Sequence, residues 1–236
     1  MSTIEVSPEI LERFKKVSSA TLYSAVGIRF GIKCFMEGVD AMTPGVRMAA
    51  RARTLRCVPP RPDLHKEVVA GENSPEYRAM ALCGPGDVLV VDCMRFPYGA
   101  SLGDVKLLHL QMQRADGLVT DGAIRDLDVV RTYGFSIFAQ KRTPSASEYT
   151  LPYEEDVPIQ CAGVLVRPGD VIVGDDDGVV VIPSSMAEEV IAWTEEHEAA
   201  EEYVKEKILA ESCRPGRHYP PTEATIEEMY RIQGKR

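Results

Sequence analysis

Residues 103–126 read GDVKLLHLQMQRADGLVTDGAIRD, and their pattern decides the fold class. Asp104 to Ala115 carries apolar residues at Val105, Leu108 and Met112, which predicts a helix. Gly117-Leu118-Val119-Thr120 predicts a short strand, Asp126 opens a second helix reaching Tyr133, and Phe135 to Ala139 predicts another strand. Strands separated by helices of this length imply βαβ units, hence an α/β fold with a partly parallel sheet. Asp104 and Asp126 each open a helix just after a loop, and strand-to-helix corners are where α/β proteins tend to place their active sites.

Outward from this stretch the pattern stays α/β. Pro85-Gly86-Asp87-Val88-Leu89-Val90-Val91-Asp92 and Pro168-Gly169-Asp170-Val171-Ile172-Val173-Gly174-Asp175 echo each other, each a turn followed by a buried strand. Ser7 as cap and Pro8 at the first helical position start a helix that runs to about Val26 and stops at Gly27. Short strands follow between Val39 and Val58, and Glu76 to Leu82 predicts a short helix. Cys161 to Pro183 adds two or three strands around Asp175-Asp176-Asp177-Gly178. A long helix is predicted from about Ser185 to Glu211, with Val190, Thr194, His197, Glu201, Val204 and Ile208 on one seam. Residues 1–211 thus read as one domain, and 212–236, with Pro215, Pro220 and Pro221, as a C-terminal arm.

Composition narrows the function classes. The 236 residues are 44% hydrophobic and 27% charged, as in an ordinary globular protein. A formal charge of −9 repels phosphate backbones, so nucleic acid is not the expected partner. An anionic substrate would need a locally positive site. The six cysteines show no Cys-x-x-Cys pair and read as buried residues of a reducing compartment. No apolar run approaches the roughly 20 residues of a membrane span and no signal peptide is visible, which predicts a cytoplasmic location. No Gly-x-Gly-x-x-Gly follows a strand, which disfavours a dehydrogenase.

The candidate chemistry lies in Gly103-Asp104 and in Asp121-Gly122-Ala123-Ile124-Arg125-Asp126. Taken singly, an Asp is a common helix cap and Arg125 fits a surface ion pair. Two capping carboxylates, a neighbouring arginine and glycines at both corners together point to a site. The amides of Val105 and Lys106, in the first helical turn, can hold a carboxylate.

Twenty residues separate Asp104 from the Arg125-Asp126 pair, and this Asp-x20-Arg-Asp arrangement resembles the signature of class II pyruvate aldolases. The resemblance is to enzymes similar to 4-hydroxy-4-methyl-2-oxoglutarate/4-carboxy-4-hydroxy-2-oxoadipate aldolase, which share a fold with the regulator of ribonuclease E activity. It covers roughly Ala20 to Glu211, including the Asp-Gly-Val-Val-Val-Ile-Pro stretch at 177–183. It implies a swivelling β/β/α-type domain with a mixed sheet, flanking helices and a long C-terminal helix. It implies further that Asp126 binds a divalent metal directly, that Asp104 holds metal-bound water, and that Arg125 contacts the oxygen that becomes an enolate. A further acid is expected from the long helix of a neighbouring subunit in a homotrimer or a hexamer, and Glu201 aligns best with it; the alternative is that Glu201 faces solvent. Few protein ligands with several retained waters suit Mg²⁺ or Mn²⁺. The implied substrate is a small 2-oxo acid, touched by Gly103, Val105, Lys106 and Arg125, with Asn73 a candidate at the pocket mouth.

The chain also departs from that family. Ser24 stands where an Asp is usual, and Lys106 where small apolar residues are common. Arg95-Phe96-Pro97-Tyr98 and the segment Glu148 to Asp156 are peculiar to this branch. Lys106 either adds positive charge for a larger anion or snorkels to water. Two alternatives remain open at this stage, a non-catalytic binding protein of the ribonuclease-regulator type and a related lyase or hydratase acting on a sugar-derived 2-oxo acid. In the regulator the position of Asp126 is not an acid, which favours the enzyme.

Overall fold

Period-two alternation sorts the strands into an inner and an outer face, and the main sheet curls around the inner one. The computed structural model describes residues 5–234. Helices α1 (Pro8–Phe14) and α2 (Ser19–Tyr23) precede β1 (Asp40–Ala41) and the long β2 (Met48–Val58). Helices α3 (Leu64–Glu67) and α4 (Pro75–Ala81) lead to β3 (Asp87–Asp92), β4 (Ala100–Leu102), α5 (Asp104–Met112) and β5 (Gly117–Ile124). A single helical turn, α6 (Leu127–Val130), comes before β6 (Ser136–Arg142) and β7 (Leu151–Glu155). The hairpin β8 (Ile159–Cys161) and β9 (Val164–Val166) is followed by β10 (Val171–Asp175), β11 (Gly178–Ile182), α7 (Ala187–Glu211) and α8 (Glu223–Ile232).

The strands lie in the order β1-β6-β5-β3-β2-β10-β11, with β4 paired to β5 and β7 to β2. The steps β2–β3, β3–β5 and β5–β6 are parallel, whereas β1–β6, β2–β10 and β10–β11 are antiparallel. This is the mixed α/β sheet expected from the alternating elements. It bends far enough that β6 faces β10: a Cβ on Gly174 would lie 2.5 Å from the ring of Phe138. Val88, Val90, Val119, Phe138, Ile172 and Val181 fill the interior of this nearly closed barrel, and the β8–β9 hairpin packs Ile159 and Val166 into it. Alternate residues point outward. Leu89, Val91, Leu118 and Ile137 pack with Leu107 and Leu110 of α5, while Val171, Val173 and Ile182 pack with α1, α2 and α7. Each fully buried aliphatic side chain contributes about 1.5–3 kcal/mol.

Several elements differ from the sequence expectation, each for a local reason. The first helix is interrupted because Ser18 adopts an extended backbone and restarts it, its hydroxyl accepting the Thr21 N–H at 3.0 Å; a π-helical turn, Ser24–Arg29, then ends it. Helix α5 buries Leu107 and Leu110 and leaves Val105 and Met112 66% and 75% exposed. Apolar residues occupy two faces of α5, so periodicity alone chose the outer one. The segment after Glu211 contains α8, which packs Met229 inward and ties Lys207 to Glu228 at 2.9 Å. Among the described residues no helix is long and apolar enough to cross a membrane.

Candidate active site

Strand β5 continues through Asp121-Gly122 to Ile124, so its carboxyl end delivers Arg125 and Asp126 to the edge of the sheet. Strand β4 runs parallel beside it, and the Arg125 N–H donates to the Leu102 carbonyl at 3.2 Å. Gly103 therefore lies against the Arg125-Asp126 pair. Asp126 caps α6 from the left-handed region, at φ 58° and ψ 33°. Asp tolerates this region better than most residues, and a non-glycine residue held there marks a place where structure over-determines the backbone. The Asp126 Oδ2 accepts the Asp104 N–H at 3.2 Å and lies 3.3 Å from Arg125 Nε. The space for that carboxylate exists because residue 103 is glycine: a Cβ there would be 2.5 Å from Asp126 Oδ2 and 3.0 Å from Arg125 Cγ.

Asp104 begins α5, and its Oδ1 accepts the N–H of Val105 at 2.7 Å. That amide, assigned from sequence to a substrate carboxylate, is thus engaged within its own turn. The Tyr133 hydroxyl donates to the Asp104 carbonyl at 3.3 Å, bracing the corner from the far side of α6. Arg125 and Asp126 remain partly open to solvent, with side chains 44% and 37% exposed. They are accessible to a ligand.

A cavity of about 420 Å³ opens at this corner, lined by Gly103, Asp104, Val105, Lys106 and Arg125. Asp126 lines the adjoining cleft, which shares Asp104 and Arg125 with the cavity. Lys106 Nζ donates to Glu76 Oε1 at 2.7 Å and to the Ser101 carbonyl at 3.1 Å. It neither snorkels nor stands as a free cation. Asn73 sits elsewhere, in a 3-10 turn where its carbonyl accepts from Arg78. Glu201 lies on α7, 3.6 Å from His197 Nε2, and does not line this cavity within one chain. Ser24 begins the π-helical turn, its hydroxyl donating back to the Ala20 carbonyl at 3.4 Å.

Asp121, prominent in the motif, takes no part in lining the cavity. Wholly buried, it accepts from the amides of Cys93 (2.6 Å), Arg95 (3.1 Å) and Ala162 (3.1 Å) and from Gln160 Nε2 (3.0 Å). It thereby holds the left-handed pair Met94 and Arg95 and pins the β8–β9 hairpin. Gly122 lets Cys93 approach, since a Cβ there would meet the Cys93 Cβ at 2.7 Å. Nearby Asp92 accepts from Met94 N–H and from Gln160; burial, with the Asp121 charge adding to it, pushes its carboxyl up to about 6. Sequence reasoning missed Glu76, Ser147 and Thr150 as cavity-lining residues. Strands β3 and β4 both lie between Glu76 and Lys106, so no local spacing announces the pair.

The donor set suits a hard divalent ion: two carboxylates, Asp104 and Asp126, on adjacent helix starts, with no third acidic, histidine or cysteine ligand grouped with them among the described residues. Water and substrate oxygens would complete such a sphere, as Mg²⁺ prefers.

Comparison with known proteins agrees with this architecture. The family model described as "RraA-like: Aldolase/RraA" matches residues 17–181. A protein of Halalkalibacterium halodurans named "Putative 4-hydroxy-4-methyl-2-oxoglutarate aldolase" is 37% identical over 153 residues, covering 65% of this chain and 72% of that protein. A Pseudomonas syringae pv. tomato protein of the same name is 32% identical over 115 residues, 49% of this chain and 71% of the other. Among solved structures, RraAS2 of Streptomyces coelicolor, described as an unusual member of the RNase ES inhibitor RraA protein family, superposes with a TM-score of 0.77. It is 33% identical, over 86% of this chain and 99% of its own. The chain therefore belongs to the RraA-like family, Aldolase/RraA.

Proposed function

We propose that this protein is a divalent-metal-dependent lyase that cleaves the C3–C4 bond of a 4-hydroxy-2-oxo acid to release pyruvate, with oxaloacetate decarboxylation as a side activity. The observation that carries the proposal is Asp126, held in a left-handed cap directly after Arg125, with its carboxylate on the Asp104 amide in the cleft that adjoins the cavity. Asp126 would hold Mg²⁺ or Mn²⁺ directly and Asp104 through water. When bound, the ion supplies Lewis acidity to the carboxylate and 2-oxo oxygens of the substrate.

Arg125 does the chain's own share of the electrostatic work. Its guanidinium lines the cavity and presents N–H donors to the oxygen on which charge collects as the bond breaks. The C3–C4 electron pair passes toward the 2-oxo oxygen, and the C4 hydroxyl loses its proton as C4 becomes a carbonyl. The enolate then takes a proton at C3 and leaves as pyruvate. In oxaloacetate, loss of CO₂ produces the same enolate. Glu201 of a neighbouring subunit is the candidate acceptor for the hydroxyl proton, which requires an oligomer, by resemblance a homotrimer or a pair of trimers. The exposed apolar side chains of Val105, Leu108 and Met112, beside the site, are in keeping with such an assembly. Sedimentation as a monomer at micromolar concentration would remove Glu201 from the mechanism.

The test is pyruvate release from oxaloacetate and from 4-hydroxy-4-methyl-2-oxoglutarate, with and without Mg²⁺. Asp126→Asn keeps the shape and removes the charge, so activity should fall by orders of magnitude while the protein stays folded, a cap change costing about 1 kcal/mol. Near-native rates in that variant would overturn the mechanism. The second reading, a non-catalytic binding protein, is favoured by the 33% identity to RraAS2; it is the outcome if the native protein releases no pyruvate from these two substrates or from 4,5,6-trihydroxy-2-oxohexanoate.

A further inference from the structure

The lining of the cavity falls into two chemically different groups. One is the corner, with Asp104 and Arg125; the other is a wall built from Glu76, Tyr77, Ser101, Ser147, Thr150 and Pro152. Two segments, residues 95–98 and 148–156, support that wall. Phe96 of the first packs on Tyr149 of the second with ring centroids 4.8 Å apart, and Thr150 follows directly. Backbone bonds fasten the wall to β4, with Ala100 N–H donating to the Ser145 carbonyl at 2.9 Å and Ser147 N–H to the Ala100 carbonyl at 3.1 Å. Arg78 clamps Glu155 of β7 with bonds of 2.6 and 2.9 Å. A wall fixed this way is preorganised for recognition.

Apart from the Lys106–Glu76 pair, its polar side chains are hydroxyls. Ser101 Oγ lies 3.1 Å from Thr150 Oγ1, which lies 2.5 Å from Ser147 Oγ. Each hydroxyl both donates and accepts, so the row can match the hydroxyl groups of a ligand in either sense. The charge there is already neutralised. Lys106 and Arg125 are the cations lining the cavity, and Lys106 is tied to Glu76, whose side chain is only 10% exposed. Arg125 stands at the reacting corner. A second carboxylate reaching this wall would meet Glu76 and, among the described residues that line it, no unpaired cation, whereas a carboxylate withdrawn from water needs one.

We infer, on the footing of the lyase reading above, that this wall selects 4-hydroxy-2-oxo acids whose chain beyond C4 carries neutral hydroxyl groups, as in sugar-derived acids, over those ending in a second carboxylate. Ser101, Ser147, Thr150 and the Lys106–Glu76 pair are its specificity determinants. Cleavage then yields pyruvate and a hydroxyaldehyde, the C3–C4 bond breaking and the C4 hydroxyl proton departing as before. A cavity of about 420 Å³ is ample for a six-carbon acid and lies within the usual ~300–1,000 Å³ of small-ligand sites.

The test compares kcat/KM, with Mg²⁺, for pyruvate release from 4,5,6-trihydroxy-2-oxohexanoate and from 4-hydroxy-4-methyl-2-oxoglutarate, with oxaloacetate as the reference. The native enzyme should favour the trihydroxy acid by at least about tenfold, the worth of one or two net hydrogen bonds. Thr150→Val should lower that ratio several-fold and Thr150→Ser should restore it, which a merely structural role would not do. Glu76→Gln frees the Lys106 charge and should raise kcat/KM for 4-hydroxy-4-methyl-2-oxoglutarate relative to the trihydroxy acid. Pyruvate from oxaloacetate together with a native preference for the dicarboxylate, or a ratio indifferent to both Thr150→Val and Glu76→Gln, overturns this inference alone. No pyruvate from any of the three overturns it together with the lyase reading.

Discussion

Gly103→Ala is the smallest perturbation that tests how the corner is built. The backbone at Gly103 is extended, at φ −150° and ψ −168°, a conformation open to any residue, so the substitution brings no backbone strain. Its whole effect is steric. The new methyl would lie 2.5 Å from Asp126 Oδ2, and ordinary contact begins at 3.4 Å, so the carboxylate must retreat by about 0.9 Å. The bond from the Asp104 N–H, already 3.2 Å, is then lost, and the Arg125 side chain, 3.0 Å from the methyl at Cγ, must shift as well. The stability cost should stay small. Arg125 and Asp126 are a half-exposed pair contributing at most about 1 kcal/mol, and exchanging Gly for Ala at a helix cap adds up to about 1 kcal/mol. The catalytic cost should be much larger, because a displacement near 1 Å in a reacting site costs on the order of 10²-fold in rate. The assay is pyruvate release from oxaloacetate at several Mg²⁺ concentrations, coupled to lactate dehydrogenase, with a thermal melt on the same sample. A folded variant with turnover within about twofold of native, and an unchanged Mg²⁺ requirement, would show that the Asp126 position does not govern the chemistry.

Three further outcomes can be checked independently. Arg125→Lys keeps the charge and loses the planar fork, so turnover should drop by the equivalent of about 3 kcal/mol with little change in KM. Gly174→Ala drives a methyl to 2.5 Å from the Phe138 ring and should destabilise by about 1–3 kcal/mol in urea unfolding; Phe138→Leu in the same chain should recover part of that loss, and additivity would refute the proposed contact. Asp92 supplies a pH dependence: its folded-state value of about 6 lies above the usual 3.8, so the folded state binds the proton more tightly. The stabilisation is full below about pH 4 and is lost as pH rises through about 6, an effect of about 3 kcal/mol for two units, and Asp92→Asn should flatten that fall in a pH series of urea melts.

The parallel half of the sheet was legible because its strands alternate with helices of ordinary length, and the corner because Gly103-Asp104 and Arg125-Asp126 announce themselves locally. What stayed hidden depends on pairing over long distances. Strand β7 carries no period-two burial, each of its residues being partly exposed, so nothing marked Leu151–Glu155 as a partner of β2. The Lys106–Glu76 bond joins two helices and leaves no trace in either one's pattern. Asp121 is a different case. It stands in the same stretch as Arg125 and Asp126, yet its four hydrogen bonds all run to the protein's own backbone amides and to Gln160 of β8. A carboxylate beside a glycine in a strand has no sequence mark that separates a turn-holding role from a ligand-binding one.

The placement of β2 has a consequence for synthesis. One of its edges bonds to β3, which follows it soon in the chain; the other is completed only by β7 and by β10, whose Val173 pairs with Ala49 about 120 residues earlier. At the usual ~5–20 residues per second, that edge stays open for roughly 6–24 s on the ribosome. A long unpaired strand is an invitation to join another nascent copy. Arg51, Arg53 and Arg56 lie along it, and in the finished protein they reach Asp87 and Glu154. Asp87 arrives early, with β3, and takes up Arg51 and Arg53; Arg56 waits for Glu154 of β7, and until then its charge disfavours pairing with another copy, so it serves the emerging chain as a guard and the completed one as a fastening.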